Sequence, residues 1–205
     1  MITQINNRDE ILSVFEQSKL LKMDIIYIQG GFLYGTNLDY TILEVYKLDK
    51  YYQMEFCFLF KDMKTFVKYV EENPYEDMFI SDGCLKYGNI SLNIYNSFSI
   101  WKIKWLLETQ FIPNISESKL LMQIDDLYNY FDEDNPYTKK TSEKSVVKFD
   151  HNIAIIYGKI LPVNKSDKVS LYIYKKNDNV SIYRYIINKK KKGIIESYMA
   201  CLNLD

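Results

Sequence analysis

A short unit occurs twice in this chain of 205 residues, with copies about 120 positions apart. The first copy is ITQI at 2–5, NNRDEILSVF at 6–15 and IIYIQGGFLYG at 25–35. The second is LMQI at 121–124, DDLYNYF at 125–131 and VVKFDHNIAIIYG at 146–158. Each reads as a strand, a helix and an antiparallel hairpin, because apolar residues alternate, then fall at helical spacing, then return to β-branched runs broken by Gly, Asn or Asp. A unit of this kind cannot bury its apolar face by itself, so two copies predict two similar α+β domains of antiparallel sheet with one or two helices each. Their expected bounds are 1–112 and 113–205. The second is reduced, since 157–168 has no room for the extra strands and basic helix of 34–82.

Within the first copy, Asn7 and Glu10 have the spacing of a capping box, and Ile11, Leu12 and Phe15 supply a buried helix face. Strands follow at DIIYIQ, GFLYGTN, TILEVYKL and MEFCFLF. KDMKTFVKYVEEN changes period: Met63, Phe66, Val67 and Val70 share one helical face, while Lys61, Lys64 and Lys68 share another. DMFISDG, CLKYGN, ISLNIYNS and SIWKIKWL read as short strands, with turns at Asp82-Gly83 and Gly88-Asn89. ETQFIPNISES, with Pro113 inside it, is a connector. After the polar loop PYTKKTSEK and the second hairpin, KVSLYIYKKN, NVSIYRYIIN and IIESYMACLNL are the closing strands. The run Lys189 to Lys192 reads as a charged hairpin turn guarding an edge strand.

Hydrophobic residues make up 47% of the chain and aromatics 16%, which excludes a disordered class. No apolar run reaches the length of a membrane span, and MITQINNRDE lacks the apolar core of a secretory signal. A cytoplasmic protein is expected, in a host cytoplasm if viral. Cys57, Cys84 and Cys201 are an odd, scattered set that predicts neither disulfide framework nor zinc site; Cys57 reads as a core residue. The net charge is −1. Residues 1–112 hold 11 basic and 15 acidic side chains, and residues 113–205 hold 15 and 12, so any contact with nucleic acid must be local.

No phosphate-cradling or nucleophile-elbow motif is present. Asp125, Asp126, Asp132, Glu133 and Asp134 could in principle hold Mg²⁺ for a nuclease, but no Lys or His recurs beside them, and a solvated helix end is the simpler reading. His151 sits in a turn. No enzyme activity, metal or cofactor is expected.

The order strand, helix, four strands, helix and further strands over 2–112 resembles the DNA sliding clamps, of the proliferating cell nuclear antigen and tailed-phage processivity-factor kind. MEFCFLFKDMKTFVKYVEENPYEDMFI resembles the family's strand, second helix and following strand. VSLYIYKKNDNVSIYRYIINKKKKGIIESYMACLNLD resembles the closing hairpin and last strand of phage clamps. Two features depart from the family: the second domain lacks its second helix, and its first helix is acidic. The resemblance implies a DNA-replication processivity factor: a homo-oligomeric ring, a homotrimer by analogy with phage clamps, through which duplex DNA passes without sequence readout. It implies phosphate contacts from Arg8, Lys19, Lys61, Lys64 and Lys68, with Lys139, Lys140 and Lys144 after the acidic helix. A pocket for the peptides of a DNA polymerase and clamp loader is implied near Trp101, Trp105, Phe111, Ile112 and Pro113. Two other classes are weighed against it: a Tyr-rich virion or assembly subunit, consistent with 19 Tyr residues, and a clamp-fold adaptor that does not encircle DNA.

Overall fold

The computed structural model describes residues 3–4, 8–21, 23–49, 51, 55–111, 119–124, 167–175, 177, 180–189 and 192–202. The chain divides into two compact units, Met1–Leu106 and Leu107–Asp205. The architecture is α+β, and among the described residues the strand pairs within each unit are antiparallel.

The first unit runs β1 (Thr3–Gln4), α1 (Arg8–Ser18), β2 (Ile25–Gln29), β3 (Phe32–Thr36), β4 (Ile42–Lys47), β5 (Glu55–Leu59), α2 (Phe60–Glu72), β6 (Met78–Ser81), β7 (Cys84–Tyr87), β8 (Ile90–Asn93) and α3 (Ser97–Trp105). One sheet has the order β5-β2-β3-β4 and the other β1-β6-β7-β8. The two meet where the Cys57 N–H donates to the Ile94 carbonyl at 2.9 Å. Positive φ at the hairpin turns explains their residues: Gly30 has φ 59 between β2 and β3, and Asp82 and Gly83 have φ 55 and 72 between β6 and β7.

The core between α1, α2 and the β5-β2-β3-β4 sheet follows from the helical periodicity. Ile11, Val14 and Phe15 on α1 and Met63, Phe66, Val67 and Val70 on α2 are all buried. Phe15 meets Phe58 edge-on at 5.1 Å and Phe66 at 6.3 Å. Such side chains contribute roughly 1.5–3 kcal/mol each, as an upper estimate.

One expected strand is a helix instead. Residues 99–106, SIWKIKWL, alternate well enough to read as β, yet 97–105 are α3, followed by a π-helical segment Leu106–Phe111. The deciding residue is Asn96, whose side-chain oxygen accepts the Ser99 N–H at 2.9 Å and caps the first turn. Ile100, Ile103 and Leu106 are then buried at a spacing of three. The π-helical segment also takes up the start of the expected connector.

The second unit, as far as it is described, contains β9 (Lys119–Ile124), β10 (Lys168–Lys175), β11 (Val180–Lys189) and β12 (Gly193–Leu202), in the order β12-β11-β10-β9. Val169, Leu171, Tyr185, Ile187, Ile195 and Met199 are buried. The acidic helix expected at 125–134, the second hairpin at 146–158 and His151 lie outside the described residues.

Candidate functional site

α2 is amphipathic in a particular way. Lys61, Lys64 and Lys68 are exposed along one stripe, opposite the buried Met63 and Val70. Among the described residues Lys61 and Lys64 form no ion pair. Lys64 lies over the Phe60 ring at 5.0 Å, and Lys68 reaches Glu72 only at 3.9 Å, so three ammonium groups face solvent on a rigid helix whose other face is packed.

Arg8 is placed differently. Its guanidinium donates to the Val70 carbonyl at 3.1 Å and lies 5.7 Å from the centre of the Tyr87 ring. The α2 carbonyls near its C-terminus lack helical partners and carry the negative end of the helix dipole, so Arg8 acts as a clasp on α2. Lys19 is exposed and pairs with Glu16. Lys139, Lys140, Lys144, Ile112 and Pro113 lie outside the described residues.

The second surface is α3. Phe98, Trp101 and Trp105 stand at helical spacings of three and four, hence on one face. Phe98 is 60% and Trp101 57% exposed, and Trp105 is half-buried. Phe98 is 6.1 Å from the Trp101 ring and 6.0 Å, edge-on, from Tyr40. The Lys102 ammonium sits 4.1 Å from the Trp105 ring centre and 5.9 Å from that of Trp101. Phe111 ends the π-helical segment. Trp101 and Trp105 thus stand on a helix and not on the expected strand, with Phe98, Tyr40 and Lys102 beside them; the 98-101-105 spacing is the sequence signal for this face.

α3 is fastened to the sheet by polar contacts at both ends. Tyr40 and Ser99 share a hydrogen bond of 2.9 Å between their hydroxyls. Lys104 reaches Glu55 at 3.3 Å, and the Tyr27 hydroxyl donates to the same carboxylate oxygen at 2.6 Å. The bond from Tyr27 holds the Glu55 pKa below its ordinary value, with Lys104 adding to the effect, while burial and then Glu55 raise that of Tyr27. A cavity of ≈ 100 Å³ opens beside this helix, lined by Ile25, Cys57, Phe58, Leu59, Asp62, Asn93, Asn96 and Ser99. Burial pushes the Cys57 thiol up to about 12, so it is not a nucleophile at neutral pH. Among the described residues no group of three or more His, Cys, Asp or Glu side chains could hold a metal ion.

The sequence matches no family model and no curated protein. Solved structures do match. The DNA polymerase III β subunit of Borrelia burgdorferi, in complex with a natural product, is 9% identical with a TM-score of 0.47, covering 100% of this chain and 64% of that one. The β subunit of Streptococcus pyogenes DNA polymerase is 10% identical with a TM-score of 0.44, covering 100% and 65%. The PCNA of A. fulgidus, bound to the C-terminal region of FEN-1, is 10% identical with a TM-score of 0.43, covering 100% and 98%. This chain spans just under two thirds of the length of the two bacterial subunits.

Proposed function

We propose that this protein is a sliding-clamp-type processivity factor that holds duplex DNA without reading its sequence. The observation that carries the proposal is the α2 stripe. Lys61, Lys64 and Lys68 project from a helix whose opposite face is locked into the core, which suits point contacts to phosphates that can be exchanged as DNA moves past. Lys19, Lys139, Lys140 and Lys144 are further phosphate contacts in this scheme, and Arg8 serves by fixing α2. Encirclement by a homo-oligomeric ring, a homotrimer, in cytoplasm supplies the retention that a protein of net charge −1 cannot obtain from bulk attraction. A DNA polymerase and a clamp loader are the proposed partners. No bond chemistry is assigned to it.

The test is retention on a nicked circular plasmid, followed by linearisation. Wild-type protein is expected to stay on the circle and leave the linear form, whereas equal retention on both would rule out encirclement. Lys64→Glu with Lys68→Glu is expected to shorten retention, and the slope of log affinity against log salt should fall by about 0.9 for every phosphate that the variant no longer neutralises. Unchanged retention in that variant removes α2 from the DNA path even if the ring stands. A Tyr-rich assembly subunit would show self-association with no dependence on DNA topology.

A further inference from the structure

We infer that the first turn of α3 is a lid over the cavity beneath it, and that Tyr40 is the latch that holds the lid shut. Tyr40 has φ 55, a left-handed conformation that a residue with a bulky side chain adopts only where its surroundings impose it. Those surroundings are the turn between β3 and β4. The Asn37 side-chain carbonyl accepts the Thr41 and Ile42 N–H groups at 3.0 and 3.1 Å, and its amide donates to the Thr41 hydroxyl at 2.8 Å. The Tyr40 N–H donates to the Asn37 main-chain carbonyl at 3.1 Å. The strained residue is thereby directed onto α3, where its hydroxyl meets that of Ser99 at 2.9 Å and its ring meets Phe98 edge-on at 6.0 Å.

The cavity of ≈ 100 Å³ is what makes a latch necessary. Ile25, Cys57, Phe58 and Leu59 line it from β2 and β5, and Asn96 and Ser99 line it from the start of α3. The opening turn of the helix therefore rests partly on empty space and forgoes the dispersion contacts that hold a packed helix down. Phe98, 60% exposed, adds little burial there, whereas Ile103 and Leu106 bury the later part and Lys104 ties it to Glu55 at 3.3 Å.

Segments with few buried contacts open locally at a fraction of the global cost. In α3 that segment is the first turn, hinged on a fixed C-terminal half. Release of the bond between Tyr40 and Ser99 lets Tyr40 leave its strained φ as the lid lifts, so the strain favours opening and the hydrogen bond opposes it. Neither residue lies on α2, and the motion is separate from any phosphate contact of the lysine stripe.

Cys57, 1% exposed and part of the cavity wall, reports the opening. The experiment measures its alkylation by iodoacetamide in the full chain carrying Cys84→Ser and Cys201→Ser, alongside amide hydrogen exchange. Tyr40→Phe and Ser99→Ala are each expected to speed alkylation roughly two- to tenfold, as the loss of one hydrogen bond implies. Both together should speed it no more than either alone. Tyr40→Gly accepts the left-handed backbone without strain but lacks ring and hydroxyl; it is expected to speed alkylation while exchange in the 37–41 turn does not rise. In each variant exchange should rise at the Ile100 N–H, which donates to Asn96 in the first turn, and stay unchanged at Phe15 in α1. Unchanged alkylation in Tyr40→Phe and Ser99→Ala overturns the assignment. So does a gain matched by equal acceleration at Phe15, which marks global unfolding, or an additive gain in the double variant. Slower alkylation in Tyr40→Gly than in the parent chain means that the strain outweighs the latch, and overturns it as well.

Discussion

Lys189 shows how far a side chain's role depends on what surrounds it. It opens a run of four lysines, and a solvated charge is the natural expectation for each. In the structure its ammonium lies 2.8 Å from the Asp167 carboxylate, with the two side chains only 6% and 3% exposed. Desolvating both charges is costly, so the pair adds little over an apolar substitute, but removing one partner takes away the charge that offsets the burial of the other. Lys189→Ala is expected to destabilise the protein by about 3–5 kcal/mol, measured by urea denaturation. Replacing both residues together with apolar ones of similar volume should cost less than either single change. Equal losses in single and double variants would show that the pair is not coupled. Another cation for which burial and partner override the surface expectation is Arg8, which is bound to the end of α2.

At the scale of elements, α3 is the informative case. IWKIKW satisfies a period of two and a period near three and a half, and six residues cannot separate them. The cap separates them: Asn96 accepts the Ser99 N–H, and the buried set becomes Ile100, Ile103 and Leu106. Asn96→Ala is expected to cost about 0.5–2 kcal/mol, with hydrogen exchange rising first in the opening turn of α3. If exchange there is unchanged, tertiary packing alone holds the helix. By contrast α2 was fully legible, because thirteen residues with four buried positions and three lysines admit only one period.

At the scale of the molecule, Met1–Leu106 forms a compact unit with its own core. Expressed alone, residues 1–106 are expected to unfold in one cooperative transition by circular dichroism and fluorescence together. Non-coincident transitions would show that the remainder of the chain is needed for folding. The sequence by itself determined the order of elements from β1 to β8, the core faces of α1 and α2, and the lysine stripe, because each depends on the period of a local pattern. Tertiary structure alone decided which cations remain free for a ligand. It paired Lys189 with Asp167, clasped Arg8 to α2, and left Lys61, Lys64, Phe98 and Trp101 facing outward. The reason is physical: burial and pairing are set by residues distant in sequence, and no local pattern encodes the partner that a side chain meets.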